Sequence, residues 1–137
     1  MNRRHQLDCI FSPSSVAVIG ASTRKGTIGR ETLHNILTAE FEGKVFPVNP
    51  KAPFIHSIKS YSTILDVPDL VDLAIIIVPK EEVLTVARQC GQKGVKFAIV
   101  HSAGFKEVGP EGEALQARMV ETAHRHGIRI FGPNSQG

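Results

Sequence analysis

The sequence predicts a single α/β domain whose parallel β-sheet is covered by helices on both faces. Short apolar runs alternate along the chain with segments of helical period. The clearest run, residues 72–78, is apolar on both faces, as expected of a central parallel strand. The chain has 137 residues, which is the length of a single domain. Its strand–helix units each take about 25 to 30 residues.

Composition excludes several classes of protein. Sixteen Lys and Arg against thirteen Asp and Glu give a net charge of +3, which suits a small anionic ligand but is too small an excess for a nucleic-acid partner. With no Trp, one Tyr and seven Phe, the chain lacks platforms for stacking single-stranded bases. The longest apolar run is too short to span a membrane, and no secretory segment follows Met1. Cys9 and Cys90 lack metal-ligand spacing, so we expect free thiols and a cytoplasmic protein.

The first half of the chain is predicted to contain two strands and one helix. The first strand covers 15–19 by its β-branched content and ends at Gly20. A helix over 28–41 follows and is stopped by Gly43. The second strand, 44–49, contains a proline that cannot donate a ladder hydrogen bond, so we expect it near the sheet edge. The inward positions of the helix are Leu33, Ile36, Leu37 and Phe41.

The middle of the chain is predicted to be irregular. Residues 50–62 carry only the trace of a short strand at 58–61, and a helical turn at 63–66 ends before Pro68.

The second half is predicted to contain three strands and two helices. Strand 72–78 is ended by Pro79, which can begin the next helix, and strands 96–100 and 128–131 follow. A loop over 101–110 leads into the last helix, 111–126, which Gly127 caps. The inward positions of the two helices are Val83, Leu84, Ala87 and Cys90, and then Leu115, Met119, Val120 and Ala123.

These elements form a Rossmann-like, doubly wound sheet of about five strands. Right-handed crossovers favour the strand order 2-1-3-4-5. A ligand is then expected outside the carboxyl ends of strands 1 and 3, among the loops that follow Ile19, Val48, Val78 and Val100.

The first of these loops is suited to a phosphate or pyrophosphate. Its glycines let a ligand approach the backbone, its hydroxyls donate hydrogen bonds, and the helix that begins near Thr27 offers free N–H groups. Ser22 stands where G-x-G-x-x-G needs its second glycine, and there is no Gly-Lys-Ser/Thr of a P-loop. An ordinary strand-to-helix turn with solvated charges is the alternative. The candidate residues are Gly20, Ala21, Ser22, Thr23, Arg24, Lys25 and Gly26.

The second loop distinguishes between nucleotides. An NAD site places a carboxylate about 20 residues beyond its glycines, but Asn49, Pro50 and Lys51 stand there. An amide and a cation favour a phosphorylated ribose or another phosphate. The second loop is therefore compatible with NADP as a ligand but argues against NAD. Lys51 as a plain surface lysine is the alternative.

The remaining loops carry apolar and small residues. Val78 and Pro79 form a ledge that a base or ribose could pack against. His101 either serves as a general base or is hydrogen-bonded at its strand end. His124 and His126 point to different faces of their helix and cannot chelate one metal. The fourth loop adds Ser102, Ala103, Gly104 and Phe105.

Five segments in this order resemble the CoA-binding domain of the NDP-forming acyl-CoA synthetases, which are relatives of the succinyl-CoA synthetase α chain. The resemblance covers nearly the whole chain from about Leu7 onward. The segments are 11–22, 47–51, 71–74 with 78–79, 102–105 and the closing 132–134.

This resemblance implies coenzyme A or an acyl-CoA as the ligand. The loop 20–26 would hold the phosphates, Asn49 and Lys51 would flank the ribose or its 3′-phosphate, and Val78, Pro79 and 102–105 would line the adenine and pantetheine path. In the family, CoA takes an acyl group from an acyl phosphate made elsewhere in the enzyme. The phosphorylated histidine, the second ligase domain and the ATP-grasp domain would lie outside this chain. Residues 1–137 are therefore expected to be an excised N-terminal domain that binds and does not catalyse, with self-association left open.

One departure bears on the parent enzyme. Synthetases commonly carry Cys-Leu after Gly-Pro-Asn, whereas this chain has Ser135 and Gln136. Serine there resembles the branch fused to a lysine acetyltransferase, in which the module would sense acyl-CoA. The competing hypotheses are an NADP-binding module of an oxidoreductase or redox sensor, and an interaction module that binds no nucleotide.

Overall fold

The computed structural model describes residues 12–101 and 109–131 and contains the predicted sheet. Five parallel strands lie in the order β2-β1-β5-β6-β7. This is the predicted order 2-1-3-4-5, because the strands β3 and β4 form a separate two-stranded hairpin and do not belong to the main sheet. The strands are β1 (Ser15–Ile19), β2 (Lys44–Val48), β3 (Phe54–Ile55), β4 (Ile58–Lys59), β5 (Leu73–Ile76), β6 (Phe97–Val100) and β7 (Arg129–Phe131).

Helices cover both faces of the sheet, as predicted. They are α1 (Ile28–Thr38), α2 (Lys80–Lys93) and α3 (Pro110–His126). Alternate residues of β1 enter two separate cores, because successive side chains of a strand point to opposite faces. Val16 and Val18 pack with Leu33 of α1. Ala17 and Ile19 belong to the core that contains α2 and α3. In the described residues no helix is both long and apolar enough to cross a bilayer.

Strand β2 lies at the sheet edge, and its proline is accommodated there as predicted. The Pro47 carbonyl accepts a hydrogen bond from Tyr61 N–H at 3.0 Å, on the side away from β1. In a parallel strand the N–H and the carbonyl of one residue face the same neighbour, so the missing N–H also faces outward. Val48 faces β1 instead, where its carbonyl accepts from Gly20 N–H at 3.0 Å.

The first helix is shorter than predicted. It ends at Thr38 with Ala39 as its C-cap, and Glu40 then adopts a positive φ of 59°. The prediction that the helix reaches residue 41 and stops at Gly43 was therefore wrong. Phe41 still packs against the core beside α1. Gly43 is needed under that ring, since an added Cβ would lie 2.4 Å from the Phe41 Cζ atom.

Residues 50–62 are more ordered than predicted. The expected strand at 58–61 is half of the antiparallel hairpin β3-β4, which is tied to the body by Ile55, one of the most buried side chains. A 3₁₀ turn at Ile64–Asp66 confirms the predicted helical turn.

The second half follows the prediction closely. Gly127 caps α3 in the left-handed conformation, and Pro79 is the N-cap of α2. Val120 was predicted to be buried but is 50% exposed, because the inner face of α3 is centred on Met119 and Ala123.

Candidate functional site

The loops after β1, β2 and β5 meet where the parallel strands have their carboxyl ends, which is the carboxyl edge of the sheet. Gly20 N–H donates to the Val48 carbonyl at 3.0 Å, and Ile77 N–H donates to the Ile19 carbonyl at 2.7 Å. These bonds extend the ladder to the carboxyl ends of the three strands. The chain leaves β1 for a helix on one face and leaves β5 for a helix on the other, so this edge is the topological switch point at which doubly wound sheets bind ligands.

Two glycines of the first loop are required by the fold itself. Gly20 has a φ of +101°, and an added Cβ would lie 1.8 Å from the Ile77 carbonyl oxygen. A Cβ on Gly29 would lie 2.0 Å from the Gly20 carbonyl oxygen. These two glycines therefore let α1 and β5 approach the end of β1. The sequence pattern predicts that the loop glycines admit a ligand, but of Gly20, Gly26 and Gly29 only Gly26 has open space where a Cβ would stand.

Hydrogen bonds within the first loop hold its shape. The Ser22 hydroxyl accepts from Arg24 N–H at 3.0 Å. The Thr27 hydroxyl donates to the Arg24 carbonyl at 2.7 Å, and the Arg30 guanidinium donates to the Thr23 carbonyl at 3.1 Å. The loop is thus fixed by its own polar groups, while the side chains of Arg24 and Lys25 are exposed to solvent.

The amino end of α1 points its first-turn N–H groups out of the helix beside this loop. Thr27 is the N-cap, and its hydroxyl accepts from Arg30 N–H at 3.3 Å. The N–H groups of Ile28 and Gly29 precede that bond and have no acceptor within the helix. Such groups, together with the helix dipole, stabilise an anion.

Asn49 links the first two loops. Its amide Nδ2 donates to the Ala21 carbonyl at 2.8 Å, across 28 residues of sequence. Its Oδ1 accepts from Lys51 N–H at 2.8 Å and from Ala52 N–H at 3.0 Å. The side chain therefore fixes the Lys51 loop against the glycine loop. An aspartate could not donate to the Ala21 carbonyl, which explains the amide at this position.

A cleft of about 310 Å³ lies at this edge of the sheet. Its floor is formed by Ile19, Gly20 and Val48, and Val78 and the first turns of α2 form one wall. A second pocket of about 330 Å³ adjoins it and shares two residues with it, Pro50 and Ser62. The second pocket is lined by Asn49, Pro50, Lys51, Ala52, Pro53, Phe54, Lys59, Ser60 and Ser62.

The predicted site residues therefore gather at one edge. Gly20, Pro50 and Val78 line the cleft, Asn49 and Lys51 line the adjoining pocket, and the loop 21–26 stands beside them. Pro79 is exposed as the N-cap of α2. Ser102, Ala103, Gly104 and Phe105 lie outside the described residues. His101 N–H donates to the Ile76 carbonyl at 2.8 Å, which extends β6 by one residue.

Sequence reasoning missed several residues of the cleft. Glu81 and Glu82, in the first turn of α2, place negative charge on the wall that carries Val78. Phe54 and Lys59 enter the adjoining pocket from the hairpin. The α2 carboxylates could have been found from the rule that acidic residues favour a helix amino end. The hairpin strands, at two residues each, carry no readable period.

Other candidate groups do not form a site in the part of the chain that the structure describes. No group of three His, Cys, Asp or Glu side chains there could hold a metal ion. An added Cβ on Gly91 of α2 would lie 2.3 Å from the ring of His126, so this histidine serves helix packing. Burial raises the pKa of the Cys90 thiol to about 12, which keeps it protonated and unreactive.

Comparison with known proteins agrees with this geometry. A family model described as "CoA binding domain" matches residues 14–137. The chain is 45% identical over 135 residues to the α subunit of an ADP-forming acetate–CoA ligase I of Pyrococcus furiosus, covering 96% of this chain and 29% of that protein. It is 49% identical over 128 residues to an ADP-forming acetate–CoA ligase II of Archaeoglobus fulgidus, covering 93% and 19%.

A solved structure has the same fold. The dinucleotide-forming acetyl-coenzyme A synthetase 1 of Candidatus Korarchaeum cryptofilum, in its apo form, matches with a TM-score of 0.90 and 48% identity. The match covers 93% of this chain and 28% of that one. The chain thus spans less than a third of the length of these three relatives.

Proposed function

Because the chain belongs to the CoA-binding domain family, we propose that it binds coenzyme A or acyl-CoA at the carboxyl edge of its sheet, as the CoA-binding module of an ADP-forming acyl-CoA synthetase. One observation carries the assignment of the site. The Asn49 amide joins the Ala21 carbonyl to the Lys51 loop. It thereby holds the loop that carries the Lys51 cation against the glycine loop that leads into α1, and a nucleotide with several phosphates is suited to a cation together with a helix amino end.

Each predicted residue has a role in this proposal. The backbone of loop 20–26 and the first turn of α1 hold the pyrophosphate, with Arg24 and Lys25 supplying positive charge. Lys51 meets a phosphate on the ribose, while Asn49 positions it. Val78 and Pro79 pack against the uncharged part of the ligand. For residues 102–105, which lie outside the described residues, a contact with the same part of the ligand is proposed on the family resemblance alone.

The NADP hypothesis loses its support. It rested on the fold and on the cation in the second loop, whereas the family model that matches residues 14–137 is that of a CoA-binding domain and the relatives reported above are CoA ligases. The acetyltransferase branch rested on Ser135 alone, while the relatives reported above are ligases or synthetases.

The reaction belongs to the longer enzyme. We propose that residues 1–137 act as one module, since the relatives are several times longer than this chain. In that enzyme the thiol of the bound CoA attacks an acyl phosphate and phosphate leaves as acyl-CoA forms. This domain supplies binding and orientation of the CoA, and the other parts supply the acyl phosphate.

Calorimetry tests the proposal. The purified chain is titrated with CoA and with NADPH in the same buffer and salt, because phosphate contacts weaken as ionic strength rises. We expect saturable binding of CoA and none of NADPH. Binding of NADPH in preference to CoA would contradict the proposal, as would the absence of binding by both.

A further inference from the structure

Two helices begin at the carboxyl edge of the sheet, because α1 follows β1 and α2 follows β5. The N-cap of α2 is Pro79, whose side chain makes no capping hydrogen bond. Glu82 N–H donates to the Pro79 carbonyl at 2.9 Å, whereas the N–H groups of Lys80 and Glu81 precede that bond and have no acceptor within the helix. On backbone grounds alone, the amino end of α2 would therefore attract a phosphate as well as that of α1.

The first turn of α2 carries two carboxylates on the side of the cleft. Glu81 and Glu82 both line the cleft, while Lys80 of the same turn does not. Among the residues that the structure describes, neither carboxylate forms an ion pair. Carboxylates interact favourably with the positive end of the helix dipole. They thereby offset its attraction for a second anion and repel a phosphate that approaches this wall.

The beginning of α1 has the opposite balance of charge. Arg24 and Lys25 are exposed in the loop before it. Arg30 accompanies Glu31, the acidic residue of the first turn, and its guanidinium reaches the Thr23 carbonyl of the same loop at 3.1 Å. The amino end of α1 therefore remains positive, and the two helix ends at this edge differ in sign.

The rest of the α2 wall is polar and uncharged. Thr85 and Gln89 line the cleft one and two turns beyond Glu81, on the same face of the helix. Together with the two carboxylates they present mainly hydrogen-bond acceptors to the cleft. Such a wall suits a ligand segment that has no charge but carries N–H donors.

We infer that Glu81 and Glu82 are specificity-determining residues, which exclude phosphate groups from α2 and so set the direction in which CoA lies in the cleft. The phosphates of CoA lie at α1, and its uncharged pantetheine arm, whose amide N–H groups can donate to the acceptors of the wall, runs along α2. This inference rests on the proposed function and adds to it the reason for a single orientation.

The exclusion of phosphate is tested with inorganic pyrophosphate at low salt, using the double variant Glu81→Gln, Glu82→Gln of the 137-residue chain. The control is Glu40→Gln, Glu42→Gln, which changes the net charge equally at exposed positions of the amino edge. Backbone amide NMR of the parent and of the control should show shift changes in the first turn of α1 and none in that of α2. The Glu81, Glu82 variant should shift both turns and bind pyrophosphate about fivefold more tightly than the control.

Two results would overturn the exclusion of phosphate. One is a double variant whose α2 amides do not respond to pyrophosphate, and the other is a parent chain whose α2 amides respond as strongly as those of α1. Circular dichroism of each variant verifies that the fold is kept.

The direction of CoA is tested with CoA that carries a nitroxide spin label on its sulfur atom. In the parent chain the strongest line broadening should fall on the α2 amides of residues 85–89, and weaker broadening on those of the loop 21–26. The reverse order would contradict the inferred direction. Failure of the parent chain to bind CoA would instead overturn the proposed function, since the pyrophosphate titration does not depend on it.

Discussion

At the scale of single residues, two buried serines show how differently one hydroxyl can act. Ser15 donates to the Leu70 carbonyl at 2.8 Å and accepts from Asp72 N–H at 3.0 Å, tying β1 to the segment that enters β5. The Ser60 hydroxyl is equally shielded but has no hydrogen-bond partner in the described residues. Removing a satisfied buried hydroxyl leaves its partners with lost bonds, whereas removing an unsatisfied one does not.

We therefore expect opposite results from two alanine substitutions. Ser15→Ala should lower the free energy of unfolding by about 1 to 3 kcal/mol, because two backbone groups lose their bonds to the hydroxyl. Ser60→Ala should leave it unchanged within about 0.5 kcal/mol, or raise it. Urea unfolding followed by circular dichroism measures both. A loss for Ser60→Ala as large as that for Ser15→Ala would show that the Ser60 hydroxyl has a partner.

In the folded chain the protonated form of His56, at the hairpin turn, is disfavoured. His56 and Ser57 form the turn with positive φ angles of 53° and 64°. The His56 ring stacks on His34 of α1, with 5.4 Å between ring centres. Desolvation, followed by the positive charges of Arg30 and His34, lowers the pKa of His56 below 6.5, and Glu31 opposes this shift.

The sign of the resulting pH dependence follows from linkage. With its pKa lowered in the folded state, His56 binds a proton more readily in the unfolded chain, so the free energy of unfolding falls as the pH drops below 6.5. His56→Asn removes the titration and tolerates the positive φ. In urea unfolding at about pH 7.5 and about pH 5.5, we expect the variant to lose less stability than the parent chain. An identical loss in both would contradict the lowered pKa.

At the scale of elements, the close packing of β1, β5 and α1 requires glycine at two positions, and the sequence pattern does not show this requirement. Loop glycines at this position of the fold suggest a ligand, but Gly20 and Gly29 are in contact with backbone atoms of their neighbours. The sequence could not distinguish a glycine that admits a ligand from one that admits a neighbouring strand. The residue that approaches Gly20 is Ile77, directly after β5 and 57 positions away in the sequence. Gly26 also has a positive φ, of +85°, but a Cβ added to it would meet no atom within 4 Å.

Matched alanine substitutions separate the two roles. Gly20→Ala should destabilise the fold by more than about 3 kcal/mol, since the backbone of β5 must move to admit a Cβ. Gly26→Ala should cost only about 1 to 2 kcal/mol, from backbone strain alone. Thermal or urea unfolding compares them with the parent chain. A Gly20→Ala variant as stable as Gly26→Ala would mean that β5 does not approach the β1 loop this closely.

The main elements were predictable because their signals are local. The doubly apolar strand 73–76 and the edge proline of β2, together with the rule of right-handed crossovers, indicated the order of the sheet. The end of α1 was not predictable, since neither Ala39 nor Glu40 is a residue type that signals a helix end, yet Ala39 is the C-cap and Glu40 adopts a positive φ of 59°. The hairpin was missed because its turn, His56 and Ser57, lacks the Asn-Gly pattern that marks such turns.

At the scale of the whole molecule, the position of the site was predictable and its second pocket was not. Topology alone places the loops after β1, β2 and β5 together, and the structure confirms that they meet. Phe54 and Lys59 reach the same edge because Ile55 anchors the hairpin in the core. Ile55 packs there in one cluster with Val16 and Val18 of β1, which lie far from it in the sequence. We therefore propose that a CoA-type ligand binds along this single edge.

Backbone amide NMR of the chain titrated with CoA tests that claim most directly. We predict the largest shift changes at residues 21–29 and 49–52, with further changes in the hairpin 54–59, and none at the opposite edge near Ser14, Lys44 and Leu70. Shift changes concentrated at that opposite edge, or no changes on saturation with CoA, would contradict the account.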